Sequence, residues 1–318
     1  MVTERPGAST AFVADLDDEI RDLRDKSREA ALAPLIELSP TDARERVRGG
    51  NRLCAAGPVD VDTAEVVAEH DGRYVDVRVY ESPDAAVTLV YAHGGGWVTG
   101  DLDYTDELCR FVASGGVRVV SVDYRLAPEH PFPAAFEDML TATLWASRAY
   151  RRVAVGGDSA GGNVAVAAAI ALRDQPKVAL AFQVLVYPVL DTDVARPSYV
   201  SEARAFPIGA AEMRWFLDHY VEARLRDDDR VAPLRAASLV GLPPTHLVVA
   251  GHDPLRDEAH AFTRRLTEAG VPVTTELHGS LCHGFLRFTA ASSGALAARD
   301  RLVERILALA QETAPSVT

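Results

Sequence analysis

Cysteine is scarce: Cys54, Cys109 and Cys282 are the only three in 318 residues. Their odd number and wide spacing exclude a disulfide framework and a cysteine-based metal cluster, and point to a reducing compartment. Long apolar runs are also missing. The greasiest stretch, Val178 to Leu190, is interrupted by Gln183 and Pro188 and falls short of the ~20 residues that span a bilayer. The opening MVTERPGAST has no basic segment leading into an apolar run, so no secretory signal is expected and the expected location is the cytoplasm. Basic charge is in deficit, 33 Lys and Arg against 46 Asp and Glu, for a formal net charge of −13. That field repels phosphate backbones and anionic lipid, so neither nucleic acid nor a membrane is an expected partner, and neutral or cationic small molecules fit better.

What is present is the balance of a globular protein, with 48% hydrophobic and 25% charged residues. The first fifty residues read as helix, because Phe12, Leu16, Ile20 and Leu23 recur at three- and four-residue steps among charges. From about Ala64 the texture changes to short β-branched runs: EVVAEH, RYVDVRVY, VTLVYAHG, VRVVSVDY, RRVAVGGD, LAFQVLVYP, THLVVAG and VTTELH. Eight strands are expected. Asp71 and Gly72 separate the first two as a turn dipeptide, which predicts an antiparallel hairpin. The later runs are continuously apolar, as in strands covered on both faces, and helices are predicted between them at Ala134 to Ala149, Gly161 to Arg173, Asp257 to Ala269 and Ser293 to Ala310. A stretch at 191–242 interrupts this alternation and carries Tyr199, Phe206, Met213, Trp215, Phe216 and Tyr220. The chain therefore divides into an N-terminal helical segment at 1–50, a first part of an α/β core at 51–190, the insertion at 191–242, and a second part of the core at 243–318.

Three features carry chemistry. The run RRVAVGGD leads into Gly157, Asp158, Ser159, Ala160 and Gly161, then an apolar helical stretch. This is GxSxG between strand and helix, where small residues let the chain turn sharply and hold the serine hydroxyl exposed. His93, Gly94, Gly95, Gly96 and Trp97 follow the strand VTLVYA. Consecutive glycines let backbone N–H groups approach a ligand, so Gly95, Gly96 and Ala160 are candidate donors to an oxyanion, and His93 is expected to brace the loop. A serine hydroxyl needs a base. Of nine histidines, His283 is favoured because it lies on a loop after VTTELH, beyond Gly279, whereas His219, His252 and His260 lie at or in helical or aspartate-bearing segments. The acid should follow a strand between serine and histidine. Asp253 is the first carboxylate after THLVVAG, and Asp257 is expected to cap the next helix.

Together HGGGW, YRLAPEHPFPAAFED, GDSAGGN, DPLRDE and HGF resemble the hormone-sensitive-lipase-like esterases, in unbroken order from about Leu38 to the last helix. The resemblance implies an α/β-hydrolase fold with a mostly parallel eight-stranded sheet and a helical cap built from the N-terminal segment and the insertion. It implies Ser159 as nucleophile, Asp253 as acid, His283 as base and an oxyanion hole at Gly95, Gly96 and Ala160. It further implies intracellular enzymes, often homodimeric, that act on small short-acyl esters without a metal or other cofactor. Trp97, Phe206 and Trp215 are the expected substrate-contacting aromatics. Two other readings share these residues: acyl transfer or deacetylation by the same triad, and a ligand-binding protein without catalysis. Cys282, beside the base, is expected to fill apolar space rather than to act as a regulatory thiol.

Overall fold

A computed structural model describes residues 14–175, 178–202 and 204–313. Eight strands form one sheet: β1 (Thr63–His70), β2 (Arg73–Tyr80), β3 (Thr88–Ala92), β4 (Arg118–Val122), β5 (Val153–Asp158), β6 (Leu180–Val186), β7 (Thr245–His252) and β8 (Val273–Cys282), in spatial order β1-β2-β4-β3-β5-β6-β7-β8. Only β2 runs antiparallel to its neighbours. The hairpin turn falls at Asp71 and Gly72, whose φ values of 51° and 77° match the right-handed twist of the flanking strands. On β2 alternate residues Val75, Val77 and Val79 are buried, whereas β3 and β5 are buried throughout, as strands with helices on both faces must be.

The helices are α1 (Asp18–Glu29), α2 (Pro40–Gly49), α3 (Asp106–Ser114), α4 (Ala134–Ala149), α5 (Ala160–Leu172), α6 (Pro197–Ser201), α7 (Ala210–Tyr220), α8 (Arg256–Glu268) and α9 (Ser293–Glu312). Three have a side-chain N-cap: Asp17 accepts the Ile20 N–H ahead of α1, Ser39 the Asp42 N–H ahead of α2 and Ser292 the Ala295 N–H ahead of α9. Leu16, Ile20 and Leu23 pack on the core, and Phe12 lies outside the described residues. The helical N-terminal layer continues past residue 50 through a 3-10 turn at Gly50–Leu53. Helix α3 is an addition to the sequence expectation. Its amphipathic face buries Leu108, Cys109 and Val112, and Gly115 follows its end. Among the described residues no helix is long and apolar enough to cross a membrane.

Two strand pairings bring distant motifs together. Strands β3 and β5 are neighbours with Ala92 opposite Gly157, so the glycine-rich loop after β3 lies beside the GxSxG turn after β5. Strands β7 and β8 are neighbours with a register shift, Ala250 opposite His278 but His252 opposite Cys282. Strand β8 therefore runs four residues beyond its expected end, through Gly279, and the loop bearing His283 is correspondingly shorter.

Candidate active site

Ser159 sits between β5 and α5 with φ 54° and ψ −119°, a conformation that costs an L-residue on the order of 1–3 kcal/mol. The surroundings enforce it. The Ser159 N–H donates to the Val186 carbonyl at 2.9 Å, and its own carbonyl accepts from Asn163 and Val189. A β-carbon at Gly161 would be driven into the Ala92 carbonyl, so α5 can approach β3 this closely only with glycine there. Asn163 completes the brace by donating to the Val189 and Val231 carbonyls at 3.0 and 2.9 Å.

His283 Nε2 lies 2.9 Å from the Ser159 hydroxyl, and His283 Nδ1 lies 2.8 Å from Asp253 Oδ2. An ionised carboxylate only accepts, so Nδ1 carries the proton and Nε2 is free to accept from the serine. The second Asp253 oxygen accepts the Leu255 N–H at 2.8 Å. All three side chains are buried. Asp257, by contrast, does not cap α8, which starts at Arg256 after Leu255. Its carboxylate instead accepts the Ser198 N–H at 2.8 Å and ties α6 to α8.

The glycine loop is locked to the nucleophile turn by Asp158, whose Oδ1 accepts the Gly94 N–H at 3.0 Å. Burial pushes this carboxyl up to about 6, against the opposing pull of Arg287, His283 and the Gly94 N–H. His93 does brace the loop: it stacks on Tyr124 at 4.3 Å and its Nδ1 lies 2.6 Å from the Gly94 carbonyl. Burial lowers its pKa to about 4, so it is a neutral donor at physiological pH. Gly95 and Gly96 adopt φ values of 112° and 60°. Among the described residues, no acceptor is bonded to the N–H groups of Gly95, Gly96 or Ala160.

Ser159, His283, Gly95 and Gly96 face a cavity of about 680 Å³. Both helical stretches line it, the N-terminal one through Leu35 and Val47 and the insertion through Phe206, Met213 and Phe216. The insertion leaves and rejoins the core at one place, where the Leu234 N–H donates to the Leu190 carbonyl and Asp191 binds both Arg196 and Arg235.

Of the three expected substrate-contacting aromatics only Phe206 lines the cavity, and the expectation for Trp97 and Trp215 is corrected. Trp97 is fully buried and stacks parallel on Tyr220 at 4.2 Å, fastening the glycine loop to α7. Trp215 lies on the other face of α7, against His219 at 4.2 Å. The 3.6-residue period places Met213, Phe216, Leu217 and Tyr220 inward, and that phase could have identified Phe216, whose ring packs directly on Gly96. Three further contributors carry no signal that the motifs single out. Tyr187, at the end of β6, packs its ring 4.8 Å from that of His283. Asp158 lies inside the GxSxG motif, and Arg287 follows the base by four residues. Cys282 is fully buried in the core, which raises its pKa and removes it from thiol chemistry at neutral pH.

Residues 89–287 match the family described as alpha/beta hydrolase fold. The chain is 39% identical over 286 residues to the esterase LipI of Mycobacterium tuberculosis, covering 84% of this chain and 88% of LipI. It is 37% identical over 280 residues to the carboxylic ester hydrolase LipN of the same organism, covering 80% of this chain and 73% of LipN. The crystal structure of LAE6, an alpha/beta hydrolase enzyme from the metagenome of Lake Arreo, superposes with a TM-score of 0.85 at 32% identity, over 94% of this chain and 99% of LAE6. With the motifs, the sheet order and these likenesses in agreement, the chain belongs to the hormone-sensitive-lipase-like branch of the α/β-hydrolase fold family.

Proposed function

We propose that the protein is a serine carboxylesterase acting on short-acyl esters through Ser159, His283 and Asp253. The observation that carries this reading is the continuous hydrogen-bonded chain from Asp253 through His283 to Ser159, opening on a cavity wall. Ser159 Oγ bonds to the ester carbonyl carbon as its proton passes to His283 Nε2. The carbonyl oxygen, now negative, is held by the N–H groups of Gly95, Gly96 and Ala160. The C–O bond to the alcohol breaks, His283 returns the proton to the departing alkoxide, and an acyl-enzyme remains. Water, deprotonated by His283, then releases the carboxylic acid and restores Ser159. Asp253 holds the imidazole in the tautomer these steps need. The N-terminal helices and the 191–242 insertion act as the cap that limits acyl length.

Ser159→Ala should lower kcat on p-nitrophenyl butyrate by about a millionfold and abolish labelling by a fluorophosphonate probe. Wild-type turnover by this variant would end the proposal. Product analysis with alcohol or amine acceptors competing against water separates hydrolysis from acyl transfer, with the acid as the expected product.

A further inference from the structure

The cavity reverses the charge of the molecule around it. The chain carries a formal −13, yet among the described residues the charged side chains on the cavity wall are Arg46, Arg52 and Arg287 against the single acid Glu212. One Glu212 oxygen is already engaged by the Gly209 N–H at the start of α7. The arginines are not neutralised in the same way. Arg287 is 8% exposed, and its Nη2 donates to the Val47 carbonyl and to Asn51 Oδ1 while its guanidinium lies 3.8 Å over the Tyr104 ring. Among the described residues its Nε and Nη1 have no hydrogen-bond partner and none of its bonded partners is a carboxylate, although the buried Asp158 carboxyl is near enough for the two to attract. Arg46 donates only to the Ala33 carbonyl, and Arg52, the most exposed of the three, has neither a hydrogen bond nor an ion pair among the described residues. On the same N-terminal segment, the neighbouring Arg44 and Arg48, which do not line the cavity, are paired with Glu129 and Asp101.

Guanidinium groups without a bonded carboxylate on the wall of a concave site raise the positive potential there, and their planar forks match a carboxylate. We propose that the preferred substrates are esters bearing a carboxylate at the end remote from the scissile bond, bound by Arg46 and Arg52 at the cavity mouth, with Arg287 adding positive potential deeper in the wall. This rests on the esterase reading and narrows its substrate class, against the neutral or cationic ligands that net charge alone suggests.

The test is a pair of isosteric esters, monoethyl adipate and its neutral carboxamide counterpart ethyl adipamate, followed by acid release at neutral pH beside p-nitrophenyl butyrate. The kcat/KM ratio of anion to amide should be on the order of ten in low salt and fall toward one in high salt. The Arg46→Gln, Arg52→Gln double variant should lower that ratio about tenfold, mainly through KM. Arg48→Gln, outside the cavity, should leave the ratio as it is. Arg46 and Arg52 are the positions to change because Arg287 also braces α2 and the turn after it. With p-nitrophenyl butyrate hydrolysed, a ratio of one or less, or a ratio indifferent to the double variant, overturns this inference alone. If none of the three esters is turned over, the esterase reading falls with it.

Discussion

Two buried titratable groups flank the nucleophile and pull stability in opposite directions with pH. Asp158 is held at about 6 against an ordinary 3.8, so the folded protein keeps a proton that the unfolded chain gives up. Its contribution is fully present below pH 3.8 and is lost as pH rises through 6. His93, held at about 4 against 6.5, has the reverse sign: its contribution is present above 6.5 and is lost as pH falls through 4. Over the same window the two largely cancel. Asp158→Asn keeps an acceptor for the Gly94 N–H and removes only the Asp158 share. Its unfolding free energy relative to the parent should therefore climb by about 3 kcal/mol between pH 4 and 7, as measured by urea unfolding across a pH series. A difference that stays flat would mean that Asp158 ionises normally in the fold. At this scale the sequence is legible where a motif names the atom, as for Ser159 and His283. It is not legible for Trp97, on a loop without periodicity, because ring size says nothing about which way a ring faces.

At the level of elements, the site depends on two strands meeting at unequal pace. Strand β8 takes four residues from His278 to Cys282 while β7 takes two from Ala250 to His252, and the slack is absorbed where Gly251 passes over Gly279. A β-carbon at Gly251 would run into the Gly279 carbonyl. Gly251→Ala should destabilise the protein by about 2 kcal/mol and lower kcat more than KM, since it pushes apart the strands whose ends carry Asp253 and His283. Calorimetry and steady-state kinetics on one neutral ester would check both, and an unchanged kcat would show that the crossing does not set the Asp253 to His283 distance. Strand count, the opening hairpin and four of the helices are readable from periodicity and turn residues. Helix α3 is absent from that reading although its apolar spacing and the glycines after it are present in the chain. The extension of β8 has no local sign, because Gly279 reads as a strand end unless the partner strand is known.

For the whole molecule, the 680 Å³ cavity is closed by parts of the chain far apart in sequence, and on the proposed function its shape sets the range of esters. Phe216 packs on Gly96 from the insertion, so Phe216→Ala should enlarge the cavity beside the reacting centre. The hexanoate-to-acetate ratio of kcat/KM should then rise on the order of tenfold, even as absolute rates fall with the loss of support for the glycine loop. A p-nitrophenyl ester series would show it, and an unchanged chain-length profile would place the acyl group elsewhere. By itself the sequence determined the α/β alternation, the turn at Ser159 and the identities of the three groups in the hydrogen-bonded chain. These come from hydrophobic period and from residue types that local backbone geometry demands. Only the tertiary structure decided the burial of Trp97 against Tyr220, the register of β8 against β7 and the arginines without a carboxylate partner on the cavity wall. Each of those depends on what lies across space from a residue, and side-chain contacts between distant segments leave no periodic trace along the chain.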